Sequence, residues 1–111
     1  MVFLASMVTV AQFTNAALAL PDVVEAPHFE KNSFRIKRKI FATLDCNQAR
    51  ACIKLNETDQ SVFCISPAIY PVPNKWGKQG WTFIELKSVN KNLCLDALQT
   101  AYNTVAGKRK S

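Results

Sequence analysis

The sequence predicts an α+β fold, an antiparallel β-sheet packed with N- and C-terminal helices. Three observations lead there. Polar and apolar side chains alternate with period two over residues 33–37 and 50–55, and the mostly apolar run 40–44 reads as a strand between them. The links between those segments are only a few residues long, which suits an antiparallel meander. Apolar residues recur at three- and four-residue steps near both ends of the chain, as amphipathic helices require. The 111 residues fit one domain, and 49% apolar composition with seven Phe, two Trp and two Tyr supplies a core. Such a chain buries roughly two-thirds of its unfolded surface and needs no staple.

The N-terminal stretch places Phe3, Met7, Val10, Phe13, Ala17 and Leu18 on one stripe, so residues 1–20 read as a core-packing helix. Its apolar character and small residues also imitate a secretory signal. Against that, no Lys or Arg precedes it, and Ser6, Thr9, Gln12, Thr14 and Asn15 make it too polar to span a membrane. Pro21 stops this helix, and residues 22–32 read as a connection. The alternating segments follow, with Arg38-Lys39 as a turn and residues 46–49 as a loop. Asn56 with Asp59 three positions on suits the start of a short helix ending at Phe63. Residues 66–80 hold three Pro and two Gly and read as a structured loop, followed by a strand over 81–86. Asn90 is a candidate N-cap for a last helix whose buried stripe is Cys94, Leu98, Ala101, Tyr102 and Val105, with Gly107 as its stop.

Fourteen Lys and Arg against eight Asp and Glu give a net charge of +6, distributed unevenly. Residues 1–30 carry net −3, 31–54 net +6, 55–86 net −1 and 87–111 net +4. Alternation places Phe34, Ile36, Ile40, Ala42, Leu44, Ala51, Ile53 and Leu55 toward the core. Arg35, Lys37, Lys39, Thr43, Arg50 and Lys54 then share the opposite face with Phe41. Cations beside a ring form a platform for nucleic acid, where phosphates pair with the charges and a base stacks. An ordinary solvated face would look the same, because exposed strands favour Lys and Arg.

Other chemistry is thin. Cys46, Cys52, Cys64 and Cys94 lack CxxC spacing, and with His28 as the single histidine they make a poor zinc set. Reduced thiols in a cytoplasmic protein are expected, with no metal or cofactor. Trp76, Gly77, Gly80 and Trp81 form either an aromatic ligand loop or an anchor holding that loop to the core. No phosphate-cradling glycine motif occurs. His28 is the one candidate base, with Glu25 placed to orient it, yet no nucleophile signature accompanies it. A binding protein is therefore expected rather than an enzyme. The Lys108-Arg109-Lys110 run reads as a solvated tail or an extension of the cationic footprint.

Several segments in order resemble the MmcQ/YjbR family. They are Glu25-Ala26-Pro27-His28-Phe29, Ser33-Phe34-Arg35, Lys39-Ile40-Phe41-Ala42 and Ala51-Cys52-Ile53-Lys54-Leu55, then Pro71-Val72-Pro73, Trp76-Gly77, Gly80-Trp81-Thr82 and Lys108-Arg109. The resemblance runs from about Ala17 to Arg109. It implies a CyaY-like (frataxin-like) fold, described as a double wing, and a role in DNA binding without enzymatic activity or cofactor. Together with the charge block over residues 31–54, it puts double-stranded DNA first among partners, contacted through the backbone with little sequence preference. Arg38 stands where the family often has Gly, which favours a wider first hairpin here. Helix one lacks the acidic stretch of an iron-handling frataxin. A protein- or small-ligand-binding adaptor working through Trp76 and Trp81 is the alternative.

Overall fold

A computed structural model describes residues 8–28 and 30–107, with His28 described through its backbone alone. The elements in order are α1 (Val10–Leu18), β1 (Val24–His28), β2 (Lys31–Ile36), β3 (Lys39–Asp45), β4 (Arg50–Lys54), α2 (Glu57–Phe63), β5 (Ile69–Pro71), α3 (Lys75–Lys78), β6 (Trp81–Glu85) and α4 (Lys91–Ala106). The six strands form one antiparallel sheet in the order β1-β2-β3-β4-β6-β5. The α+β expectation holds.

Local chemistry fixes the helix ends. Thr9 and Gln12 form a reciprocal capping box at α1. Asn56 accepts from the Asp59 N–H, Asn74 from Trp76 and Asn90 from Leu93. Gly107 closes α4 at φ +72°. Helix α4 lies across β2, β3 and β4, and α1 packs beside it on the same face. Phe13 meets Phe34 edge-on at 6.0 Å, and the Tyr102 hydroxyl donates to the Pro21 carbonyl at 2.7 Å. The core is therefore one layer between sheet and helices, with Phe34, Phe41, Leu44, Ile53, Leu55, Ile84 and Leu98 buried. Leu18, placed in that stripe by its spacing, is 42% exposed, because α1 ends there and the chain turns away. Phe3, Met7 and Lys108 to Lys110 lie outside the described residues.

Three short elements replace expected coil: β1 within residues 22–32, and β5 and α3 within 66–80. Both outer strands of the sheet carry a proline, Pro27 in β1 and Pro71 in β5. A strand with no ladder donor at that position survives only at an edge.

The first hairpin is tight, not wider. Ile36 pairs with Lys39, leaving Lys37 and Arg38 as a two-residue turn at φ +53° and +70°. Such a turn matches strand twist but strains L-residues. The connection 72–80 is shaped by close backbone approach. A Cβ on Gly77 would stand 2.0 Å from the Val72 oxygen, and one on Gly80 would stand 1.8 Å from the Leu55 oxygen. Gly80 also has φ +105° and accepts from the Leu55 N–H at 2.9 Å. Gln60 clamps the same segment, its amide donating to the Gly77 carbonyl at 2.9 Å and Thr82 Oγ1 at 3.1 Å.

The four cysteines are free thiols. Burial pushes the Cys52 thiol up to about 11 and that of Cys94 to about 12, from an ordinary 9.0.

Replacing Lys37-Arg38 by Asn-Gly relieves two left-handed L-residues. This should raise stability by about 1–2 kcal/mol, read as a higher thermal midpoint. Gly80→Ala should cost about 3 kcal/mol in urea unfolding, because it adds both a clash and a strained φ. At pH 8 a disulfide reagent should label the exposed Cys46 first, and Cys94 only on unfolding. Folding holds the Cys52 and Cys94 protons, so stability is full below pH 9 and declines as pH rises through 11 and 12.

Candidate nucleic-acid interface

The face of the sheet away from the helices follows from the strand register. Residues paired across strands share a face, so Val24, Arg35 and Ile40 form one outward row. Ala26, Ser33, Thr43, Cys52, Phe83 and Tyr70 form the next. Asp45, Arg50 and Glu85 form a third, and Lys54 stands outward against Trp81.

One irregularity changes the expected assignment. Phe34 pairs with Ala42 but Arg35 pairs with Ile40, so Phe41 is an extra residue on β3. The bulge breaks the two-residue count. Phe41 is fully buried, edge-on to Tyr102 at 5.6 Å, and cannot stack on a base. Ile40, expected in the core, turns outward and is half-buried. Lys39 pairs with Ile36 and so starts β3 on the helix side of the sheet, although its side chain is exposed.

The outward cations are not equivalent. Arg50 pairs with Glu85 at 2.9 Å, and its guanidinium lies 4.8 Å from the centre of the Phe83 ring. Glu85 also accepts from the Tyr70 hydroxyl, and that hydrogen bond, with the carboxylate's charge, raises the Tyr70 phenol above its ordinary value. At the same end of the sheet, hydrogen bonds from the Gln48 and Asn47 amides hold the Asp45 carboxyl below its usual value. Arg50 therefore has its charge answered within the protein. This removes Arg50 from the expected platform. Arg35 donates to Ser33 Oγ at 3.1 Å, and Lys54 donates to the Gln79 carbonyl with its amine 5.6 Å from the Trp81 ring centre. Neither meets a carboxylate, and Arg50–Glu85 is the one ion pair among the described residues.

What the register does bring together is one end of the sheet. The β2–β3 turn, the close of β4 and the β5–β6 connection all lie there, because neighbouring strands alternate in direction. That end gathers Arg35, Lys37, Arg38, Lys39 and Lys54 with Lys75 and Lys78 of α3. Asp22, Glu57 and Asp59 are the acids around it. The opposite end, with Lys31 and Arg50 facing Asp45 and Glu85, is near balance. Spacing alone gave no sign of Lys75 and Lys78, because their place at this end of the sheet comes from the order and direction of the strands.

Trp76 and Trp81 do not share a role. Trp81 is half-buried beneath Lys54, whereas Trp76 is 50% exposed on α3. Beside α3 an open cleft of about 530 Å³ runs between Gln60 of α2 and Val72, Asn74 and Lys78. The His28 side chain lies outside the described residues, and Glu25 accepts from Asn32 Nδ2 at 2.9 Å. Among the described residues no three His, Cys, Asp or Glu cluster as a metal site would need, and no helix is long and apolar enough to cross a membrane.

The crystal structure of the Deinococcus radiodurans protein DR2400, a DUF419 domain, is similar to this fold, with a TM-score of 0.79 and 22% identity. The match covers 98% of this chain and 86% of that one. At that identity the likeness speaks for the fold alone. No curated protein matches the sequence. The family model described as YjbR matches residues 18–104, most of the chain. The chain belongs to the YjbR family.

Proposed function

We propose that the chain binds DNA through its phosphate backbone, using the cationic end of the sheet and not the centre of its outer face. The reading rests on one observation. Seven cations from three separate stretches of sequence converge on that end, and three carboxylates accompany them. Phosphate contacts of this kind supply affinity with little sequence information, which fits a surface where side chains from turns and strand ends do the binding. Double-stranded DNA is the partner such a cluster serves, since its backbone presents closely spaced charges. The role is one of binding, without catalysis, in a cytoplasmic setting.

A second reading, an adaptor for a protein or small ligand, draws on the half-exposed Trp76 and on the cleft along α3. It requires affinity that salt leaves unchanged.

Titrating labelled duplex DNA at rising salt separates the two. With five phosphates engaged, log affinity should fall against log salt with a slope of roughly −4 to −5. The triple variant Arg35→Glu, Lys37→Glu, Lys54→Glu should lose at least about 100-fold and flatten the slope by roughly 3. The control Lys87→Glu with Lys91→Glu, away from that end, should stay within about threefold. Equal losses in both variants, or none in the first, would overturn the assignment.

A further inference from the structure

From the setting of Trp76 we infer that this protein takes DNA carrying unpaired nucleotides, with an unpaired base stacked on that indole. The inference rests on the backbone-binding reading above and names the form of DNA that the same end of the molecule recognises.

Trp76 is a large exposed side chain on a segment whose backbone is firmly held. Half of it is exposed, and it sits on a four-residue helix that would not persist alone. Four contacts fix that helix. Asn74 caps it through the Trp76 N–H at 2.8 Å, and Gln60 donates to the Gly77 carbonyl at 2.9 Å. Gly77 lies against Val72, and Gly80 lies against Leu55, at distances no side chain would permit. The fold thus anchors the backbone that carries an indole the core does not need. A pre-ordered aromatic loses little freedom on binding and makes an effective anchor.

Its surroundings favour a nucleotide as the occupant. Lys75 and Lys78, one helical turn apart on a shared side of the same short helix, are exposed, and the first hairpin's cations stand at the same end of the sheet. A cleft of about 530 Å³ runs along the same short helix past Asn74, Gly77 and Lys78, next to the indole's segment and not under the ring, and has the size of a small-molecule site. Asn74, Gln60 and Glu57 line it with polar groups that could meet a base edge, and Val72 gives it an apolar floor. Stacking needs a free π-face, which paired bases within a duplex do not offer.

The test compares a labelled blunt duplex with the same duplex bearing a five-thymidine 3′ overhang. The native protein should prefer the overhang. Trp76→Ala should erase that preference, a loss of about five- to 150-fold on the overhang DNA, with blunt-duplex affinity within twofold. Trp76→Phe should keep most of it. Equal native affinity for both DNAs would overturn the inference while leaving backbone binding intact, and so would equal loss on both in Trp76→Ala. A protein ligand whose salt-insensitive binding is lost in Trp76→Ala, while overhang preference persists, would overturn it in favour of the adaptor. If neither DNA binds at low salt, the backbone reading falls and this one with it.

Discussion

One additional residue in the third strand governs much of this molecule. By standing outside the two-residue count, Phe41 turns inward and meets Tyr102, joining the middle of the sheet to the C-terminal helix. A regular strand would leave that ring on the open face and bury Ile40 instead. The bulge gains the larger side chain for the core, and it also settles where the charges go. Lys39 begins on the helix side and Arg35 remains outward, so cations adjacent in sequence spread around the hairpin end rather than along one face.

The open face is consequently less cationic than it reads in the sequence. Arg50, Glu85, Tyr70 and Phe83 make a connected group in which the guanidinium is met by a carboxylate and a ring. Such a group holds the last two strands to the middle of the sheet. The sheet's other cations, at strand ends and turns, have no carboxylate partner among the described residues.

Much of the fold was legible because its signals are local. Asn56, Asn90 and Gly107 mark helix ends by their own hydrogen-bonding and backbone chemistry, and the stripe Cys94, Leu98, Ala101 and Tyr102 is one face of one helix. The edge strands were hidden for the opposite reason. β1 and β5 are short, contain proline and are stabilised chiefly by the strand beside them. The bulge was illegible because periodicity assumes that no residue is inserted. Of the candidate site, Arg35, Lys37 and Lys54 were visible as a charge block. Lys75 and Lys78 join them only through strand order, and the exposure of Trp76 reflects neighbours absent from its own stretch of sequence.

The prolines at Pro27 and Pro71 have a consequence beyond their own strands. Each outer rim of the sheet lacks one main-chain donor, so a neighbouring copy meets an interrupted ladder on either flank. Copies of the chain brought together at high local concentration would thus remain separate bodies instead of zipping edge to edge into a shared filament.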